Sequence, residues 1–114
     1  MSKPIDQDKQ DILAALEKVL IARQMSDPNK SYVSSLYAKG LDHILKKVGE
    51  ESAEVVIAAK NDGPNELVKE VADLWFHCMV LLVNNKLSVD DVLHELDRRF
   101  GVSGLDEKAS RNKS

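Results

Sequence analysis

Two pairs of acids share one spacing: Glu51-x-x-Glu54 and Glu70-x-x-Asp73. Each pair lies inside a long apolar run that reads as helix. A desolvated carboxylate is costly unless it is paired or bound to metal, so acids beside a buried face need a reason. Four of them on one two-helix hairpin suggest a hard-cation site, and Mg²⁺ prefers carboxylate and phosphate oxygens. Acids at i,i+3 also occur on solvated faces, and Lys46 and Lys47 are near enough to pair with the first set.

The direction of each acid follows from 100° per residue. On the helix expected from about Leu41 to Lys60, the residues Leu41, Ile44, Leu45, Val48, Ser52, Val55 and Ala59 line one apolar face. Measured from the centre of that stripe, Glu51 lies at about −80°, Glu54 at about −140°, Lys47 at about −120° and Glu50 at about 180°. Glu50 is therefore read as a solvated acid and Glu51 as an edge acid. On the next helix, about Glu66 to Asn84, the stripe is Leu67, Val71, Leu74, Cys78 and Leu81. Glu70 falls at about −60°, His77 at about −80° and Asp73 at about −120°. Joined by a short turn, the helices are antiparallel neighbours. Their acidic edges have the same sign and lie on one side, with Glu54 beside Asp73 and Glu51 level with Phe76 and His77. The expectation is a single acidic patch, with His77 a satisfied edge histidine.

The elements that must position this patch are all helical. A first helix is expected over Asp6 to Gln24, capped by Asp6, with Ile12, Leu16, Val19 and Leu20 inward. Ser26-Asp-Pro-Asn-Lys30 breaks it. Ser31 caps a short piece from Tyr32 to Ala38 that ends at Gly40. Asn61-Asp-Gly-Pro64 is the turn of the hairpin, with Asn65 as the cap of its second helix. Ser88 and Asp91 form an acidic variant of the capping box, opening a last helix that stops at Gly101. No strand alternation is visible. The fold class is all-α, four to five helices with a central antiparallel hairpin, in one domain spanning residues 1–114.

The totals agree. A chain of 114 residues supports one core. A net charge of −3, from 16 basic and 19 acidic residues, is not the footprint of a nucleic-acid binder. The lone Cys78 fits a reducing compartment and sits on the apolar stripe as a core residue. No signal peptide is visible and no apolar run spans a bilayer, so a soluble cytoplasmic protein without membrane partners is expected. The second hairpin helix is apolar on a further face, through Val68, Ala72, Trp75, Phe76, Met79 and Val83. A helix apolar on two faces is buried on two sides, which predicts a helical-bundle homodimer with Phe76 in its interface.

Longer stretches add a resemblance. Ser31-Tyr-Val-Ser-Ser-Leu-Tyr-Ala-Lys39-Gly40, the run Lys46 to Lys60, Glu66 to His77, and the tail Ser103 to Arg111 together resemble the phosphoribosyl-ATP pyrophosphohydrolase family, within the MazG-like all-α nucleotide pyrophosphatases, whose signature is ExxE followed by ExxD. The resemblance covers residues 31–111. It implies Mg²⁺-dependent hydrolysis of phosphoribosyl-ATP to phosphoribosyl-AMP and pyrophosphate, the second step of histidine biosynthesis. It implies Glu51, Glu54, Glu70 and Asp73 as metal ligands and catalytic groups, and Lys39, Lys47, Lys108 and Arg111 as phosphate contacts. Glu50 is adjacent, but its direction argues against a role. A fused cyclohydrolase domain, present in some relatives, is absent from these residues, so the stand-alone form is expected. Two rivals remain: a house-cleaning pyrophosphatase acting on free nucleoside triphosphates, and a non-catalytic dimerisation module whose acids are surface charge.

Overall fold

The computed structural model describes residues 11–101. They form five α-helices and no strand: α1 (Ile12–Arg23), α2 (Tyr32–Lys39), α3 (Leu41–Asn61), α4 (Pro64–Asn84) and α5 (Val89–Phe100). The all-α class expected above is what the chain adopts. Asp6, its expected cap, lies outside the described residues, as does the tail from Val102.

The turns follow from local chemistry. Ser31 accepts a hydrogen bond from the Ser34 amide and so starts α2. Gly40, at φ 95°, ends α2 and opens α3 with no residue between, a sharp corner that a side chain would strain. Gly63, at φ 85°, makes the hairpin turn, and Pro64 takes the first helical position. Proline suits that position because its fixed φ is helical and the amide it lacks would be unpaired there. The cap of α4 is therefore Gly63, and Asn65, expected to cap, lies inside the helix. The capping box at Ser88 and Asp91 is formed as expected. A residue from elsewhere reinforces it: Glu17 of α1 accepts from the Val89 amide at 2.6 Å and the Ser88 hydroxyl at 3.2 Å. A carboxylate at the positive end of a helix is favourable, and it fastens α5 to α1.

The core joins all five helices through Leu20, Leu36, Ile44, Met79, Val80, Val83 and Val89. Buried Ser34 donates to the Arg23 carbonyl at 2.9 Å, satisfying the end of α1 within this core. On α1 the inward residues are Leu13, Leu16 and Leu20, while Ile12 and Val19 are exposed.

The hairpin differs from the wheel drawn on sequence. The line of α3 that faces inward is Ile44, Val48, Glu51, Val55 and Ala58, and Leu41, Leu45, Ser52 and Ala59 are exposed. On α4 the most buried residues are His77, Met79, Val80 and Val83, and the expected stripe from Leu67 to Leu81 is half-buried. α3 is turned toward its acidic edge, which buries Glu51, and α4 presents its second apolar face, through Met79 and Val83, to the core. On α4 the cause is an excess of apolar residues: a helix apolar on two faces has no single stripe, and its neighbours decide the rotation. Phe76 is corrected too. It is half-buried against the chain's own core and stacks on Tyr32, because α2 folds back over that side of α4. Val68 and Trp75, 68% and 59% exposed, and Ala72 are the part of the second face left open.

Candidate active site

The rotation of α3 buries Glu51, while Glu70 is half-buried and Glu54 and Asp73 stay exposed. Glu51 is only 6% exposed. Single carboxylate oxygens of Glu51, Glu70 and Asp73 lie within 4.8 Å of one another. Glu54 joins the group through hydrogen bonding with Glu70 and with Glu51. The pairing across the hairpin is thus Glu54 with Glu70, one turn from the Glu54–Asp73 level read on sequence.

The electrostatics are those of crowded like charges. Hydrogen bonding to Glu54 holds the Glu70 carboxyl up at about 7, with desolvation and the charges of Glu54, Asp73 and Glu51 adding to it. Burial raises the Glu51 carboxyl, followed by its contact with Glu54; His77 acts in the opposite sense. One oxygen each of Glu51 and Glu70, the Oε2 atoms, is buried without a hydrogen-bond partner. A buried unpaired carboxylate oxygen is expensive, and a cation held by this cluster would offset that cost.

A hard divalent ion fits this donor set. The ligands are all oxygens, and the orphaned atoms are the ones a metal would satisfy. Adjacent ligands of an octahedral Mg²⁺ are about 3 Å apart and opposite ones about 4.2 Å, so the trio would have to draw together to close on one ion.

Around the acids stand donors. Lys47 is 3.6 Å from Glu50 and 3.7 Å from Glu51. Glu50 is directed outward, its side chain 45% exposed between Lys46 and Lys47, as expected. Lys39 is exposed at the end of α2. Lys108 and Arg111 lie outside the described residues. His77, read as an edge residue, is buried at 5% exposure, and its ring nitrogens meet the Asp73 carbonyl and the Tyr32 hydroxyl. Tyr32 was not singled out on sequence. Its position directly after the Ser31 cap was the available signal, but what it touches is 45 residues away.

A family model described as phosphoribosyl-ATP pyrophosphohydrolase matches residues 13–100. The chain belongs to the phosphoribosyl-ATP pyrophosphohydrolase family. Curated relatives agree. A protein of Methylococcus capsulatus named phosphoribosyl-ATP pyrophosphatase is 61% identical over 101 residues, covering 89% of this chain and 96% of its own length. Proteins of the same name from Vesicomyosocius okutanii and Hydrogenovibrio crunogenus are 54% and 55% identical, each matched over at least nine-tenths of both chains. No described helix is long and apolar enough to cross a membrane.

Proposed function

We propose that the acidic layer of the α3–α4 hairpin hydrolyses the α–β phosphoanhydride of phosphoribosyl-ATP, giving phosphoribosyl-AMP and pyrophosphate in histidine biosynthesis. Family membership makes the chain a hydrolase. The observation that carries the site assignment is the pair of buried, unpartnered oxygens on Glu51 and Glu70 beside Asp73.

Glu51, Glu70 and Asp73 would hold Mg²⁺, with Glu54 completing the set. When bound, the ion supplies charge neutralisation for the polyphosphate and polarises the phosphoryl oxygens. Glu54 lies outside the close trio and shares hydrogen bonding with Glu70, so it is the carboxylate assigned to take the proton of the attacking water. Lys47 faces the same layer and supplies a donor to phosphate oxygens. Lys39, Lys108 and Arg111 are assigned the outer phosphates.

The working unit is this helical domain in a cytoplasmic homodimer. Val56 and Ile57 on α3 and Val68 and Trp75 on α4 are exposed. Trp75 also borders an apolar groove of about 330 Å³ lined by Cys78, Leu93 and Leu96. A second copy covering these residues would remove the apolar surface. Trp75→Asp is expected to reduce the mass seen by sedimentation; unchanged dimer mass would remove Trp75 from the interface.

The deciding experiment is pyrophosphate release from phosphoribosyl-ATP, ATP and dCTP, each with Mg²⁺ and with EDTA. Mg²⁺-dependent turnover restricted to phosphoribosyl-ATP is expected. Equal turnover of the free nucleotides would indicate a house-cleaning enzyme, and no release from any would leave a dimerisation module.

A further inference from the structure

Among the described residues, three aromatic residues are more than half exposed: Tyr32, Trp75 and Phe100. Trp75 borders the apolar groove, and Phe100 ends α5. Tyr32, the first residue of α2, is the one whose side chain is joined to the acidic layer by hydrogen bonds. His77 makes the link. Its Nδ1 lies 2.7 Å from the Asp73 carbonyl oxygen. A carbonyl only accepts, so Nδ1 carries the hydrogen and donates, and Nε2 of the neutral ring is the acceptor. The Tyr32 hydroxyl, 2.8 Å away, donates to it. One imidazole thus separates the phenol from the backbone of Asp73.

That bond limits what Tyr32 can offer a ligand. Its hydrogen is committed to a buried partner, and the oxygen left over only accepts, so the hydroxyl is no donor to a phosphate. The ring is what remains. Phe76 stacks on one side of it, with centroids 6.4 Å apart and planes 21° from parallel, and His77 stands nearly perpendicular to it at 5.8 Å. With those neighbours in place Tyr32 is still 52% exposed. The result is an aromatic surface held in one orientation and open to solvent. A ring already fixed loses little freedom when a ligand covers it.

A flat π surface suits a nucleobase, because every base has a π-face to lay on it. In a nucleoside triphosphate the base lies across the ribose from the α-phosphate. A platform for it therefore belongs beside the acids that meet the phosphates, and not among them. Tyr32 has that place, on α2 and one side chain away from Asp73. We propose, on the phosphoanhydride reading given above, that Tyr32 is the platform on which the adenine of the substrate stacks, with His77 the positioning residue that fixes the ring.

The test compares wild type with Tyr32→Leu and Tyr32→Phe. The readouts are calorimetric affinity for AMP, for ribose 5-phosphate and for pyrophosphate with Mg²⁺, kcat and KM for phosphoribosyl-ATP, and mass by sedimentation. Tyr32→Leu is expected to weaken AMP binding about tenfold, the scale of one base–aromatic stack, and to leave the two ligands without a base unchanged. KM should rise by a similar factor with kcat nearly intact, because the base contact is made equally in ground and transition states. Tyr32→Phe keeps a ring and should lose less than Tyr32→Leu. In wild type, AMP should shift the Tyr32 ring-proton resonances upfield and ribose 5-phosphate should not; this decides alone if Tyr32→Leu fails to fold. Four results would overturn the proposal: no AMP binding by wild type, equal losses for AMP and ribose 5-phosphate, Tyr32→Phe as weak as Tyr32→Leu, or a loss of affinity that follows a loss of dimer mass. The last would make Tyr32 an interface residue. Wild type that binds AMP in this pattern yet does not turn over phosphoribosyl-ATP would sink the substrate assignment and leave the platform standing. Turnover with KM and AMP affinity unchanged in Tyr32→Leu would do the reverse.

Discussion

Ile44 and Glu51 occupy the same inward line of α3, two turns and roughly 10.5 Å apart. Around Ile44 the neighbours are Leu20, Leu36 and Val80, all fully buried. Around Glu51 they are Glu54, Glu70, Asp73, His77 and Lys47. Helix, partner helix and degree of burial are nearly the same, and the chemistry is opposite. The apolar layer gains by excluding water, and the acidic layer loses by it unless something compensates. The hairpin is therefore held together at one level, while the other keeps charges at a spacing that repels.

Substitutions should separate the two layers, and the largest effect belongs to the apolar one. Ile44→Ala leaves a cavity under a fully buried residue and should cost about 2–5 kcal/mol in denaturant unfolding. If the cost is below about 1 kcal/mol, the layer is less tightly packed than its burial indicates.

The acidic layer should answer in the reverse way. Asp73→Asn or Glu54→Gln should lower turnover by at least about 100-fold, about 2.7 kcal/mol in barrier. Stability without metal should hold or rise, because each removes a like charge. A variant that loses stability as fast as activity would show the acids to be structural.

Divalent metal should stabilise this layer alone. At a hundredfold excess over Kd, binding adds about 2.7 kcal/mol. The effect depends on pH through Glu70, whose carboxyl is raised from 4.5 to about 7. In that window the folded state holds more protons than the unfolded one, so without metal stability falls as pH rises from 4.5 through about 7. Metal competes with that proton, so the gap in melting temperature between Mg²⁺ and EDTA should widen from about pH 6 to about pH 8. A gap independent of pH would remove Glu70 from the metal site, and Glu70→Gln should flatten the metal-free profile.

The smallest change is the control on the boundary. Glu50 points outward between Lys46 and Lys47. Glu50→Gln should stay within about 0.5 kcal/mol in stability and leave turnover nearly intact. An effect as large as that of Glu54→Gln would mean that the layer extends to the outer face of α3.

Much of this was legible residue by residue. Helical periodicity, the Ser31 and Ser88 caps and the glycine-proline turn are local features, and local sterics and hydrogen bonds fix them wherever the segment sits. The shared side of the acids was legible too, since the two angular offsets have the same sign and a short turn makes the helices antiparallel. The rotation of α3 and α4 was not. α4 is apolar on two faces, so the burial energy is similar for more than one rotation of the hairpin. The choice fell to α1 and α2, which cover Met79, Val83 and Phe76 and turn Glu51 and His77 inward. The Tyr32–His77 contact and the Glu17 cap on α5 are likewise tertiary, joining residues that share no local signal. The sequence by itself determined which residues are helical, where the turns fall and that the acids share one side. Only the tertiary structure decided which side is buried, because that is a competition among nearly equal apolar faces settled by what packs against them.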